Sequence, residues 1–227
     1  MRATRLSDTA YEHIKAQLLD RRVQANAWLP IEEIAAELGS SRQPVMDAMK
    51  RLVLEGFVEI VPQVGCRVRN PDVQEIDDFY RLFAAGESLI AELAAARATP
   101  TDILTLQLIS AQIGELVKTP VSDEHKGETY RTLNRRLHAE MRRICRSQTL
   151  ADVVESLGDR SDFYVALSDQ PMFALNIDQA HREHEEIVAA IAKGDGKAAS
   201  KAMENHIFAT ERRLLDTDQP TGGPAAS

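Results

Sequence analysis

Cysteine is scarce. The 227-residue chain holds only Cys66 and Cys145, far apart and in no pairing or metal-ligating motif. That excludes a disulfide framework, and both thiols read as reduced structural residues. Long apolar runs are missing too: none approaches the roughly 18–20 residues that a membrane span needs. The first residues, Met1 to Asp8, show no apolar stretch of the secretory kind. A cytoplasmic location with no membrane partner is the expectation. Nor is there an excess of positive charge, since the net charge is −8.

What is present is enough to fold. Apolar residues make up 44% of the chain, sufficient for a real core, and charged residues 27%, ordinary for a soluble protein. The charge is unevenly spread. Residues 1–71 hold ten basic and nine acidic side chains, whereas residues 72–227 hold 17 and 26. The acidity therefore belongs to the C-terminal part and leaves room for a local basic face at the front.

Periodicity predicts helices over 7–22, 31–38 and 42–55. Ser7 is the expected N-cap of the first, and Gly39 and Gly56 stop the second and third. Val45, Ala48, Met49, Leu52 and Val53 form an apolar stripe on the third, opposite Arg42, Gln43, Met46, Asp47 and Lys50. Two short strands follow, 57–61 and 66–69, around Pro62-Gln63-Val64-Gly65. Helix, short helix, turn, helix and hairpin is the order of a winged helix-turn-helix. In such a module the last helix enters the major groove of double-stranded DNA. Arg42 is placed to bind guanine or phosphate and Gln43 to read adenine. Met46 shares their face, Lys50 and Arg51 suit phosphates, and Gln63 and Arg67 belong to the wing.

Asn70-Pro71-Asp72 marks a linker, and everything beyond reads as helix: 72–97, 100–118, 124–145, 149–168, 176–193 and 195–216. The expected organisation is a DNA-binding domain over 1–71, an all-helical domain over 72–217 and a disordered tail over 218–227. Arg142, Arg143 and Arg146 read as a solvated face, and His13, His125 and His181 as exposed or structural residues.

Residues 11–69 resemble the DNA-binding domain of the GntR superfamily of bacterial regulators. The residues that carry this are Leu29-Pro30, Ile34 to Gly39, Ser41-Arg42-Gln43-Pro44-Val45, Ala48, Arg51-Leu52, Glu55-Gly56-Phe57-Val58, Gly65 and Val68. Two departures stand out. Met46-Asp47 replaces the family's usual Arg-Glu, and Glu32 falls where another arginine is frequent.

The second half carries histidines at helical spacing. Asn134 and His138 are four residues apart, on one face of one helix. His184 and His206 lie on two helices joined near Gly194, each among inward apolar neighbours. Taken singly, each histidine is most simply a hydrogen-bonded core residue. Together they could also form a pocket for a divalent metal, zinc or nickel foremost.

Residues 72–216 resemble the FCD effector domain of the FadR branch of that superfamily, in its shorter VanR-like form. The matching motifs are Asn134-Arg135-Arg136-Leu137-His138, Glu183 to Ile187, Ala190-Ile191, Gly194-Asp195, Ala198-Ala199 and Met203-Glu204-Asn205-His206. The resemblance implies Asn134, His138, His184 and His206 as a metal-ligand set, with Asn134 in place of an aspartate. It also implies an effector pocket near Phe83, Arg135 and Arg142, with Phe83 where an arginine is common. The fold expected is mainly α: a winged helix-turn-helix of three helices and a β-hairpin wing, then an FCD-type helical bundle. The function expected is a homodimeric repressor, not an enzyme. It would bind a palindromic operator and answer a small-molecule effector, an organic acid for example. The alternatives are a metal-free organic-ligand pocket and a three-histidine metal-dependent hydrolase or lyase.

Overall fold

The computed structural model describes residues 5–168 and 172–217. The tail expected over 218–227 lies outside them. The fold is mainly helical, with one small sheet, and divides into two compact units. One runs up to Asp72 and includes Asp159–Leu167; the other holds Val73–Gly158 and the described residues from Ser168 onward.

The first unit begins with α1 (Leu6–Leu19), which turns Ala10, Tyr11, Ile14, Leu18 and Leu19 inward. Its N-cap is Arg5, two residues before the expected Ser7, and no side chain caps it. Helix α2 (Ile31–Glu37) buries Ile31, Ile34 and Ala35, and α3 (Arg42–Leu54) buries Val45, Ala48, Met49 and Leu52. Gly39 and Gly56 both take positive φ where these helices end, as the stops predicted from sequence require.

The sheet has three strands where two were expected. β1 (Trp28–Leu29), read from sequence as a plain break, pairs antiparallel with β3 (Gly65–Val68), whose other edge takes β2 (Val58–Val61). Two residues are too short for any period-2 pattern to show. The pairing is fixed from outside, by Asn26 N–H donating to the Val68 carbonyl (3.1 Å) and Val68 N–H to that of Ala27 (2.9 Å). Asn26, at φ 62, makes the turn that allows this.

Residues 159–167, placed in the C-terminal domain by sequence, complete the core of the first unit. They are the last part of α7 (Gln148–Leu167). Phe163 is fully buried against Phe57, with ring centroids 5.0 Å apart. The Lys15 ammonium donates to Asp159 Oδ2 (2.6 Å) and the Tyr11 hydroxyl (2.6 Å), and lies 3.3 Å from Glu55. Burial opposes the Lys15 charge, but the hydrogen bonds to Asp159 and Tyr11 outweigh it and raise its pKa. Gly56 is doubly constrained: its φ is +81, and an added Cβ would come within 2.8 Å of the Arg160 guanidinium.

The second unit is built on α4 (Val73–Arg97), which packs most extensively against α10 (Gly196–Thr217). Ala84, Ala91, Ala94 and Ala95 on α4 and Ala199 and Ala209 on α10 are all buried, and small side chains let helix axes approach. Helix α5 (Pro100–Lys118) starts at a capping box between Thr99 and Asp102, with Pro100 in its first turn. Helix α6 (Asp123–Ile144) is capped by Ser122. A short α8 (Met172–Leu175), not foreseen in the sequence, precedes α9 (Ile177–Ala192). Gly194, at φ +69, turns the chain from α9 into α10, and Asp195 Oδ1 accepts from Ala198 N–H (3.0 Å).

Asp159→Ala removes the shorter carboxylate contact of the Lys15 ammonium, leaving Glu55 at 3.3 Å, in a site where Lys15 is only 13% exposed. A loss of about 1–3 kcal/mol in unfolding free energy is expected, measured by denaturant titration. A change below about 0.5 kcal/mol would mean the bridge is as weak as an ordinary surface pair.

Candidate functional site

Two constellations carry chemistry. The first is the outward side of α3. Its stripe of buried residues leaves Arg42, Gln43 and Lys50 exposed and Met46 and Asp47 partly so. Each polar side chain there already has an acidic partner. Arg42 pairs with Glu32 (3.1 Å). Asp47 accepts from both Gln43 (3.0 Å) and Lys50 (2.9 Å), and the Lys50 hydrogen bond pulls the Asp47 pKa below its usual value.

Arg51 differs from the phosphate-facing role expected of it. It turns back onto α1, pairing with Asp8 (2.9 Å), its guanidinium 3.8 Å from the centre of the Tyr11 ring. On the hairpin, Arg67 is cross-strand partner to both Glu59 and Trp28. It makes an ion pair with Glu59 and lies 5.8 Å from the Trp28 ring centre. Gln63 is exposed at the tip, at φ 63.

The second constellation lies inside the helical unit. His138 of α6, His184 of α9 and His206 of α10 are all buried, and their candidate ligand atoms lie within 4.8 Å of one another. Ring centroids are 4.5 Å apart for His184 and His206, and 5.6 Å from His138 to each of them. Tyr130, two turns before His138 on α6, stacks over His184 at 6.5 Å. Asn134 is one turn before His138, and its Oδ1 is buried with no hydrogen-bond partner. Both ring nitrogens of His184 are orphaned in the same way. Burial, then the neighbouring His206 and His138, push the His184 pKa well below its usual value, so the ring is neutral.

Two glutamates flank the imidazoles. Glu183 Oε2 is 2.8 Å from His206 Nδ1, and its other oxygen pairs with Arg213. Glu87 of α4 is fully buried, with Oε1 3.4 Å from His138 Nδ1 and 3.2 Å from Arg142. Burial works to raise both carboxyl pKa values. For Glu87 the His138 and Arg142 charges outweigh it; for Glu183 the His206 hydrogen bond and the His206 and Arg213 charges do so.

Arg142 is thus no part of the solvated face expected for the Arg142–Arg146 run: its side chain is 11% exposed and committed to Glu87. Arg143 is more open and pairs with Asp102. Phe83 is buried in an aromatic cluster, stacked on Phe79 at 5.8 Å and edge-on to Tyr80. Arg135 is half-buried one residue after Asn134. Glu87 was missed from sequence, although a signal existed. It is the lone acid among the inward positions Phe83, Ile90, Ala91 and Ala94 of α4.

Comparison with known proteins agrees with this layout. Residues 78–209 match the FCD domain, and residues 6–68 match the bacterial regulatory proteins of the gntR family. The chain belongs to the GntR family and carries an FCD domain. It is 30% identical over 206 residues to the Uxu operon regulator of Haemophilus influenzae, covering 83% of this chain and 74% of that protein. It is 23% identical to the HTH-type transcriptional repressor GlaR of Escherichia coli, over 87% of this chain and 90% of that one. The fold is shared with Escherichia coli McbR/YncC at a TM-score of 0.76 and 18% identity, covering 95% of this chain and 100% of that one. This GntR-family protein is therefore a DNA-binding transcription regulator with an effector-binding helical domain. No helix among its described residues is long and apolar enough to cross a membrane.

The acidic partners on α3 give a test of how its charge is held. Asp47→Asn releases Lys50, so binding to DNA of any sequence should tighten. The slope of log affinity against log salt should steepen by about one counterion. Unchanged affinity and slope in a fluorescence-anisotropy titration would mean that Lys50 does not reach phosphate.

Proposed function

We propose that this regulator is a homodimeric, cytoplasmic repressor whose helical domain holds one divalent metal, zinc or nickel. Asn134 Oδ1, His138, His184 and His206 are its ligands in this reading, and a small anionic effector completes the site. The single observation that carries the reading is the set of orphaned atoms. Asn134 Oδ1 and both His184 nitrogens are buried without hydrogen-bond partners, beside two more inward imidazoles. Native interiors rarely leave such atoms unpaired, and a cation that accepts lone pairs would satisfy Asn134 Oδ1 together with one of the two His184 nitrogens. The donor set fits, because neutral imidazole and an amide oxygen suit a borderline divalent ion.

When bound, the metal supplies a Lewis-acidic position for an exogenous oxygen ligand. The charge balance favours an anion in that position. Asn134 and the three imidazoles bring no charge, while Glu87 with Arg142 and Glu183 with Arg213 cancel in pairs. A carboxylate effector would neutralise what the protein leaves uncompensated. This reading assigns Phe83 and Arg135 to the effector pocket, Phe83 as an apolar contact and Arg135 as a counter-charge on α6. The reading is of a sensor, not an enzyme: Glu87 and Glu183 each span a histidine and an arginine, an arrangement for holding side chains still. Two relatives, GlaR and RspR, are named as repressors, which supports that sign for this chain.

On the DNA side, Arg42, Gln43, Met46 and Lys50 would face the major groove and Gln63 and Arg67 the flanking backbone, with Arg51 steadying α3 on α1. Two heads in a dimer would read a palindromic operator. Arg42→Ala should weaken operator binding by about 1–3 kcal/mol and relax the base preference at one position per half-site. Equal affinity for wild type and variant would overturn that assignment.

Metal analysis of the purified full-length chain should find close to one ion per chain. A chelator should lower its melting temperature, since a ligand of the folded state stabilises it by mass action. His184→Ala should abolish uptake, and Asn134→Asp should tighten it by restoring a charged oxygen at the same reach. An ion-free protein whose Asn134→Asp variant is less stable would favour the metal-free organic-ligand pocket instead.

A further inference from the structure

The two glutamates beside the histidine cluster repeat one arrangement. Glu183, on α9, joins His206 and Arg213 of α10. Glu87, on α4, joins His138 and Arg142 of α6. In each case one helix lends a carboxylate, and the neighbouring helix lends an imidazole and an arginine one or two turns further on. His184 stands outside this pattern: neither of its nitrogens has a partner. The contacts also select atoms. Both carboxylates address Nδ1, which leaves Nε2 of His138 and of His206 as the nitrogen available to the shared centre.

We propose that Glu87 and Glu183 are positioning residues for the metal centre: Glu183 holds the Nδ1–H tautomer of His206 by a hydrogen bond, Glu87 favours that of His138 by its charge beside Nδ1, and each so presents Nε2 as a lone-pair donor. This inference rests on the metal reading above. An isolated imidazole divides its proton between two nitrogens and rotates about its side-chain bonds. A carboxylate at Nδ1 removes both freedoms and makes Nε2 more basic. Arg142 and Arg213 keep the carboxylates ionised in a buried setting, where a lone carboxylate would otherwise take up a proton. The two contacts differ in quality. Glu183 lies at hydrogen-bond distance from His206, whereas Glu87 approaches His138 at 3.4 Å without a hydrogen bond, so that His138 Nδ1 and Glu87 Oε2 are both unpartnered. Glu183 is therefore the stronger of the two positioning residues.

The test uses the full-length chain and Co(II) as probe, because its visible absorption reports ligand number and geometry directly. Affinity is read by competition with a chromophoric chelator, well below the melting temperature of every variant. Wild type is expected to load one Co(II). Glu183→Gln and Glu87→Gln are isosteric but uncharged, and each should weaken affinity by about ten- to hundredfold, with the larger loss at Glu183. The absorption band should shift as the imidazole loosens. Glu87→Gln leaves Arg142 buried without its carboxylate, so the double variant Glu87→Gln/Arg142→Met is measured beside it. If the carboxylate matters through His138, the double variant recovers melting temperature but not Co(II) affinity. If affinity returns with stability, the role of Glu87 is purely structural and that half of the proposal is overturned. Wild-type affinity and spectrum in both single variants would overturn the whole proposal while leaving the metal centre standing. A wild-type chain that takes up no Co(II), Zn(II) or Ni(II) would remove the centre itself, and the proposal with it.

Discussion

Three imidazoles meet inside a helical bundle whose core is mostly apolar, and the charged contacts of that core gather around them. A polar atom taken from water without a partner costs roughly 1–3 kcal/mol, and the cluster contains several. Such a cost is tolerated only where something offsets it. Two of the three rings meet a glutamate, the glutamates meet arginines, and those arginines lie on the same helices as the rings. The helices α4, α6, α9 and α10 are consequently tied together at one depth of the bundle by charge as well as by apolar packing. His184 and Asn134 are left without such support. A ligand would complete Asn134 Oδ1 and one His184 nitrogen, while His138 Nδ1 and Glu87 Oε2 are also without hydrogen-bond partners.

The first unit handles charge differently. Its outward residues on α3 and the hairpin are mostly neutralised by acids of the same unit, Glu32, Asp47 and Glu59. These are exposed pairs, individually worth little to stability and screened by salt. If Arg42 and Lys50 contact DNA as proposed, a phosphate would have to displace a carboxylate to reach them, which would lower affinity for arbitrary DNA more than for a site offering good base contacts. Against the family pattern that the sequence resembles, Glu32 puts an acid where an arginine is frequent, whereas Asp47 keeps an acid at its position beside the lost arginine.

Much of this was legible in the sequence. The apolar stripe on α3, the glycine stops at Gly39, Gly56 and Gly194, and the spacing that turns His138, His184 and His206 inward are all local properties, written in residues three to eight apart. What was hidden depends on distance along the chain. β1 is two residues long and exists only because β3 accepts it. Arg142 looks like one of several basic residues on α6 until Glu87, 55 positions earlier, is found beneath it. Arg51 likewise reads as a DNA-facing cation until Tyr11 and Asp8 draw it the other way. Glu87 itself was visible as an acid on an apolar stripe, but nothing local said which ring it would meet.

The division of α7 has a consequence for how such regulators recombine. A head excised at the linker after Asp72 carries Lys15 without Asp159 and Phe57 without Phe163, because those partners lie more than eighty residues downstream on a helix that begins in the other unit. The unit is continuous in space but not in the gene. A chimera made by joining this head to a foreign sensor at one crossover would inherit a buried cation left with only its longer Glu55 contact and an aromatic face uncovered. Functional exchange therefore needs a second crossover, around residues 159–167. Lineages that trade effector domains would be expected to change the end of this helix and the surface of α1 together.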